Sequence, residues 1–190
     1  SAEYVLLGGY IISSTTTTLR VEGTLLAVNM NANSSTASAV AVSNSNAIFA
    51  AMNVGLSGAT QAVYVTSAAR VQLIGDYMIS TGGNGLTIDG DVEDVILMGI
   101  NGRSLAGSLV GYVSGTVRSC LVSACMVDAS AAGITWAAAS MPTAGLSVVA
   151  SSFNVASANV AIGHTAATPR ANYKANTFAT GQYSESALVP

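Results

Sequence analysis

The chain alternates short apolar runs with polar and glycine-containing turns, and the apolar runs recur at a nearly constant distance. Seven related segments begin at Thr18, Ala39, Ala62, Leu86, Leu109, Ile134 and Val160. Their successive starts are separated by 21, 23, 24, 23, 25 and 26 residues. Self-similarity at such a period is typical of proteins in which one supersecondary unit stacks on the next. The pattern therefore predicts a stack of coils.

A second apolar run follows each start and has a finer pattern. Positions 0 and 2 of the run share one face of a strand, whereas an apolar residue at position 5 requires a shift of one residue. We therefore expect a tight corner between two inward-facing strands. Four runs fit this pattern: Val95, Leu97, Ile100; Cys120, Val122, Cys125; Val148, Ala150, Phe153; and Tyr173, Ala175, Phe178. The run from Val71 departs from it, because Asp76 stands at position 5.

Helical periodicity is weak throughout the chain. The best helical candidate is the alanine-rich stretch from Ala129 to Ala139, which Gly133, Ile134 and Thr135 weaken. Short strands rich in valine and threonine, repeated every 21–26 residues, instead predict an all-β, single-domain, right-handed parallel β-helix of about seven coils. We assign residues 1–17 to an N-terminal cap or docking segment, 18–181 to the β-helix, and 182–190 to a C-terminal cap or tail.

Two phrases resemble a known superfamily. GLTIDGDVEDVILMGING (Gly85–Gly102) and ANYKANTFATG (Ala171–Gly181) are similar to coils of the pectate-lyase-like β-helix superfamily, and most similar to the β-helical spike and fibre proteins of bacteriophage virions. The resemblance covers Thr18 to Gly181 in pattern, without a diagnostic motif. It implies either a trimeric virion surface protein or, alternatively, a polysaccharide lyase or hydrolase that acts on host surface glycan.

Composition narrows the classes of partner. Of the 190 residues 51% are apolar and only 8% are charged, against about a quarter charged in ordinary soluble domains. A net charge of −3 excludes the basic footprint of a nucleic-acid-binding protein. The longest strong apolar run, Tyr4 to Ile12, is far shorter than the roughly 20 residues of a membrane-spanning helix. We expect no nucleic-acid partner and no membrane insertion.

One dense charge cluster offers a candidate metal site. It consists of Asp89, Asp91, Glu93 and Asp94. Carboxylates at this spacing could ligate a hard cation such as calcium, and lyases of the superfamily that the chain resembles use acidic calcium sites. A solvated charged turn is the commoner outcome of such a run. We predict no metal and no cofactor, and keep these four residues as the only metal candidates.

The remaining reactive groups are sparse. The other acids are Glu3, Glu22, Asp76, Asp128 and Glu185, which are scattered along the chain. Arg103 and Arg118 lie one coil or less from the acidic cluster and are the best candidates for the base or charge clamp of a lyase. His164 is the only histidine, and the spacing of Cys120 and Cys125 matches no CxxC motif. We therefore expect no catalytic residues and no enzyme activity.

The low charge content also bears on assembly. Outward positions are occupied mainly by Ser, Thr, Asn and Ala, and residues 23–69 carry no charge. Small uncharged side chains suit surfaces that pack against other proteins, whereas the surface of a free monomer is usually charged. We expect a homotrimer on the virion that contacts other virion proteins, with host surface glycan as a further ligand.

Overall fold

The fold is a parallel β-solenoid of about six turns. It was obtained as a computed structural model, which describes residues 3–130, 133–136, 142–155, 162–164 and 171–178. These residues form nineteen strands and no helix, so none of them belongs to a helix long and apolar enough to cross a membrane. The predicted all-β solenoid is confirmed, with about six turns rather than about seven.

Each turn of the chain crosses three parallel faces. Face 1 contains β2 (Leu19–Val21), β4 (Val40–Ser43), the first parts of β7 (Val63–Ile74) and β9 (Leu86–Met98), β11 (Val110–Ser114), β14 (Ile134–Trp136) and β17 (Ile162–His164). Face 2 contains the first parts of β1 (Glu3–Ser13) and β3 (Thr24–Ser34), β5 (Ile48–Met52), the second parts of β7 and β9, β12 (Val117–Ser123), β15 (Gly145–Val149) and β18 (Ala171–Lys174). Face 3 contains the second parts of β1 and β3, β6 (Gly55–Gly58), β8 (Tyr77–Ser80), β10 (Asn101–Leu105), β13 (Met126–Ala129), β16 (Ser152–Val155) and β19 (Thr177–Phe178).

The register of face 1 corrects the coil lengths. The stacked residues are Leu19, Val40, Val63, Leu86, Val110, Ile134 and Ile162. Successive differences give coils of 21, 23, 23, 24, 24 and 28 residues. The predicted starts were therefore not all equivalent. Leu86 and Ile134 belong to this stacked row, whereas Thr18, Ala39, Ala62 and Leu109 each precede the member of their own coil by one residue. The start at Val160 lies outside the described residues.

Alternating side chains fill the inside of the solenoid. One apolar cluster runs without interruption from Val21 to Val155, and its largest fully buried members include Phe49, Leu73 and Phe153. Each such side chain contributes about 1.5–3 kcal/mol through the apolar surface that it removes from water. Because every inward residue stacks on its counterparts in adjoining coils, the core is continuous along the axis.

A left-handed residue turns the chain from face 2 to face 3 in every coil. We call this the left-handed corner, and its residues are Gly8, Asn29, Asn53, Gly75, Gly99, Ala124, Ala150 and Ala175, with φ between 50° and 67°. One such residue reverses the alternation of side chains, so the residue after it again points inward. The corner predicted for the runs from Val95 and Cys120 is thereby confirmed.

Two of the four predicted inward sets were wrong by two residues. Cys120 and Val122 stack on Leu146 and Val148, and these in turn on Ala171 and Tyr173. Position 5 of these two coils is therefore occupied by Ser151 and Asn176. The expected inward residues Ala150 and Ala175 are exposed corner residues instead.

The first strand forms an incomplete layer on top of the solenoid. β1 pairs in parallel with β3 from Glu3 to Ser13, and among the described strands nothing pairs with its other edge. Beside it lies an open end groove of about 660 Å³, whose lining includes Tyr4, Leu6, Leu19 and Leu25. This strand belongs to the segment that we assigned to an N-terminal cap or docking piece.

The alanine-rich stretch from Ala129 to Ala139, the best helical candidate of the sequence, contains strand residues. Ala129 ends β13, and Ile134–Trp136 form β14. The remaining part of that stretch, apart from Ser130 and Gly133, lies outside the described residues. The C-terminal residues 182–190 also lie outside them.

Candidate functional site

The acidic cluster lies where β9 bends from face 1 to face 2. Asp91 and Glu93 are exposed, Asp89 and Asp94 are partly buried, and Val92 points into the core between them. The acidic segment is therefore part of one continuous strand, not a turn between two strands as we expected. The alternation imposed by Val92 directs its charged neighbours outward.

Asp89 links three successive coils. Its Oδ2 accepts a hydrogen bond from the Tyr64 hydroxyl at 2.7 Å, and its Oδ1 accepts one from Ser114 Oγ at 2.7 Å. The bond from Ser114, followed by that from Tyr64, lowers the pKa of the Asp89 carboxyl, and the Asp89 carboxylate in turn raises the pKa of Tyr64. Both oxygens of this carboxylate are engaged within the protein.

Asp91 and Asp94 make similar links to the following coil. Asp91 Oδ1 accepts hydrogen bonds from the backbone N–H and the hydroxyl of Thr116 at 2.8 and 2.7 Å. Asp94 accepts one from Ser119 Oγ at 2.7 Å and pairs with Arg118 at 2.8 Å and with Arg70 at 3.5 Å. The Ser119 bond is the main cause of a lowered pKa at Asp94, followed by the charges of Arg118 and Arg70.

The acidic cluster therefore acts as a set of ties between coils. In the part of the chain that the structure describes, no three His, Cys, Asp or Glu side chains converge on a point where a metal ion could bind. The candidates Asp89, Asp91, Glu93 and Asp94 are neighbours along a strand. Asp89, Asp91 and Asp94 each accept hydrogen bonds from hydroxyl, amide or guanidinium donors of an adjoining coil. Such an arrangement stabilises the stacking of the coils.

The other candidates are not assembled into a site. Arg103 donates to Asn101 on its own strand, and Asp128 accepts a hydrogen bond from Asn154 at 3.3 Å. Burial raises the pKa of the Cys120 thiol to about 12 and that of Cys125 to about 11, so both are inert thiols. The His164 side chain lies outside the described part of the structure, as does that of Trp136. The Trp136 backbone stacks in register with Tyr112 and His164.

Sequence reasoning missed two features of the left-handed corner. The first is a column of polar groups inside it, to which Asp76 belongs, and the second is a row of exposed apolar side chains outside it. A corner formed by alanine or asparagine carries no distinctive sequence signal, unlike one formed by glycine. Only the position of Asp76 in an otherwise apolar run indicated something unusual.

Replacing Asp94 tests its role as a tie. We expect Asp94→Ala to lower the free energy of unfolding by about 1 kcal/mol at pH 7, because the exposed arginines add little to the Ser119 bond. The pKa of Asp94 is lowered in the folded protein, so its contribution is present above the unfolded value of 3.8 and disappears as the pH falls further. Urea titrations at pH 7 and pH 3 measure both effects.

The matched control for Asp94→Ala is Glu93→Ala on the same strand. Glu93 is exposed, and its loss should change stability by less than about 0.5 kcal/mol. An equal effect of the two substitutions would show that net charge, and not the contacts of Asp94, determines the result.

Comparison with known proteins adds no family to this picture. No protein-family model, no curated protein and no solved structure matches the chain. The resemblance to pectate-lyase-like coils and to virion spikes therefore stands on the quoted phrases alone, while the parallel β-solenoid is shown by the structure.

Proposed function

We propose that this chain is a structural protein of a bacteriophage virion surface, such as a capsid decoration, head fibre or short tail spike. In this proposal it assembles as a homotrimer, contacts other virion proteins and contributes to adhesion at the host surface. The observation that supports assembly is the distribution of exposed apolar side chains, which follow one edge of the solenoid.

Large exposed apolar residues flank the left-handed corner from the first layer onward. Leu7, Met52 and Met98 stand just before the corner, whereas Tyr10, Tyr77 and Met126 stand two residues after it. Their side chains are 40–74% exposed. We call these six residues the corner stripe. Five steps of about 4.8 Å separate its first and last layers, so it extends over about 24 Å.

The chemistry of the corner stripe suits a protein interface. Methionine and tyrosine are enriched in the cores of interfaces, where charged residues are depleted. The positions directly before the corner and two residues after it carry no charge in any layer from Leu7 to Met126. Exposed apolar side chains that follow one edge in this way are typical of a surface that contacts another protein. Three copies with parallel axes would cover the corner stripe if each turned this edge toward a common three-fold axis.

The first layer offers a second contact surface. Tyr4, Val5 and Ile12 on β1 are 61–64% exposed, so both sides of this strand are apolar. A long apolar edge strand is a template for pairing with another chain. In the proposed assembly this end of the solenoid attaches to another virion protein. The acidic cluster gives little support to the glycan-cleaving alternative, because Asp89, Asp91 and Asp94 are engaged as ties between coils.

Sedimentation of matched variants tests the trimer. We expect the wild-type chain to sediment as a trimer at micromolar concentration and Met98→Lys to dissociate it, because a buried unpaired ammonium is costly at an interface. The control is Val113→Lys, since Val113 is equally apolar and 55% exposed but lies on face 1. Val113→Lys should remain trimeric. A monomeric wild type, or equal dissociation by both variants, would contradict the proposal.

A further inference from the structure

A column of side chains lies directly inside the left-handed corner. It consists of the residues that follow the corner in every layer after the first: Met30, Val54, Asp76, Ile100, Cys125, Ser151 and Asn176. The reversal of the strand at the corner removes the backbone N–H of these residues from the regular ladder. A polar side chain of the next coil can replace the missing acceptor.

Three members of the column supply that acceptor. The Val54 N–H donates to Asp76 Oδ1 at 2.7 Å, the Cys125 N–H to Ser151 Oγ at 3.2 Å, and the Ser151 N–H to Asn176 Oδ1 at 3.0 Å. Asp76 therefore accepts the same kind of hydrogen bond in its coil as Ser151 and Asn176 accept in theirs. This explains why a polar residue is tolerated at a position that was expected to be apolar.

Three members of the column also donate a hydrogen bond to a backbone carbonyl oxygen. Asn176 Nδ2 donates to Val148 of the preceding coil at 2.8 Å, and Ser151 Oγ donates to Val149 of its own coil at 3.1 Å. Cys125 Sγ lies within reach of one carbonyl of each kind, Ser123 of its own coil at 3.3 Å and Leu97 of the preceding coil at 3.7 Å. Val148 and Leu97 occupy equivalent positions: each pairs with the residue three positions before the donor. For Asp76 the equivalent residue is Ala51, which pairs with Leu73.

Asp76 lacks this second bond as a carboxylate. Its side chain is 1% exposed, and its Oδ2 is buried without a hydrogen-bond partner. A carboxylate has no proton to donate, whereas a carboxylic acid has one. The column therefore places an atom that needs a proton at the point where its counterparts donate.

We propose that Asp76 is a protonation latch: as a neutral acid it donates its Oδ2 proton to the Ala51 carbonyl oxygen and closes the corner between two coils, and its ionisation loosens that corner. The proton is lost to solvent on ionisation, and no bond other than O–H is broken. Asp76 then presents a buried charge that the corner cannot satisfy.

The surroundings of Asp76 favour the neutral form. Burial raises its pKa to about 7, against the opposing effect of the backbone N–H groups of Val54 and Ile74. The adjoining coils face Asp76 with Val54 and Ile100, neither of which is titratable. Tyr77, which follows Asp76 at the start of β8, and Arg103 on β10, which donates to Asn101, are both exposed. The other titratable groups of the neighbouring strands are Tyr64 and Arg70 on β7 and the acidic cluster on β9, which lie on face 1 or at the beginning of face 2. None of them supplies a counter-charge inside the corner.

An ionised Asp76 has a route to water. A surface groove of about 380 Å³ lies outside the corner and is lined in part by Val54, Gly75 and Tyr77, the residues that surround Asp76 in space and in sequence. Movement of the carboxylate into this groove would break its bond with the Val54 N–H. The expected result is local opening at this corner, since the coils on either side keep their own ladders.

The sign of the pH effect follows from the raised pKa. The stabilising effect of the neutral acid is complete below the unfolded pKa of 3.8 and is lost as the pH rises through about 7. Between these values the unfolded chain has released one proton that the folded chain retains. The folding equilibrium constant should therefore fall roughly tenfold per pH unit in this window because of Asp76.

The experiment compares wild type with Asp76→Asn, because asparagine has both the acceptor and the permanent donor seen at Asn176. Urea titrations at pH 5 and pH 7 should show the ratio of wild-type to Asp76→Asn folding constants falling roughly fiftyfold, because half of the folded molecules have already lost the proton at pH 7. The control Asp128→Asn removes the same charge from an exposed carboxylate. The ratio of wild-type to Asp128→Asn folding constants should be the same at pH 5 and pH 7. A constant ratio for Asp76→Asn would overturn the proposal.

Two further measurements keep the test decisive if Asp76→Asn folds poorly. Carboxyl ¹³C shifts of the wild-type protein should show one aspartate that titrates near pH 7, and a set in which every aspartate titrates near pH 4 would overturn the latch. Amide hydrogen exchange at Val54, corrected for the intrinsic pH dependence, should accelerate from pH 6 to pH 8 more than exchange at Cys125, its counterpart capped by Ser151. Equal acceleration at both amides would also overturn it.

Discussion

Gly90→Ala is expected to destabilise the solenoid by about 4 kcal/mol or more, which is the range of exceptional single substitutions. A Cβ added at Gly90 would lie 1.7 Å from the Thr66 carbonyl oxygen and 2.6 Å from the Thr66 carbonyl carbon. Both atoms belong to the backbone of the preceding coil, which its ladder hydrogen bonds hold in place. Gly115 repeats the arrangement one coil later, where an added Cβ would lie 2.2 Å from the Gly90 carbonyl carbon.

The matched control is Gly75→Ala at the other corner. Gly75 has a positive φ of 66°, but an added Cβ would meet nothing within 4 Å. Ala124, Ala150 and Ala175 already occupy the same corner position with similar φ values. We expect Gly75→Ala to cost about 1 kcal/mol, the usual penalty for a left-handed alanine. Urea unfolding of both variants measures the difference, and similar losses of stability would show that φ, and not the closeness of the coils, governs these glycines.

The fold was accessible from the sequence because stacking repeats the same requirement in every coil. Inward positions such as Val95, Leu97 and Ile100 must all be apolar, and their spacing predicted both the solenoid and the corner. The predictions failed at inward positions where a residue makes hydrogen bonds to the backbone and does not simply bury an apolar side chain. Ser151 and Asn176 are inward because they accept hydrogen bonds from corner N–H groups, whereas Ala150 and Ala175 resemble core residues and are exposed.

The acidic cluster shows a different limit. Its residues were identified from composition, but their partners depend on which residue of the next coil lies opposite. Coil lengths drift from 21 to 28 residues, and the register shifts where β7 and β9 bend, so Asp89 meets Tyr64 and Ser114. A shift of one residue would exchange inward and outward positions. The sequence gives the periodicity only to within one or two residues. This is enough to assign the acids to a coil, but it is not enough to identify the residues that they contact.

Phe49→Ala is expected to lower the free energy of unfolding by about 3–5 kcal/mol, the usual cost of emptying a fully buried phenylalanine site. Phe49 is 0% exposed on β5, and its inward neighbours in the adjoining coils are Leu25 and Val71. Neither neighbour can fill the space, because each is held in its own layer by a ladder. The control Val113→Ala on face 1 removes a side chain that is 55% exposed and lies outside the corner stripe, and it should cost less than about 1 kcal/mol.

The loss of stability caused by Phe49→Ala should be greatest in the coils near Phe49. Each coil contacts only its neighbours, so a cavity at Phe49 weakens the attachment of the layers before it more than the stacking of the layers after it. Amide hydrogen exchange should show loss of protection in Thr24–Ser34, while Val117–Ser123 retains its protection. If protection fell equally in both strands, the solenoid would unfold as one cooperative unit, and the nearest-neighbour description of its stability would be wrong.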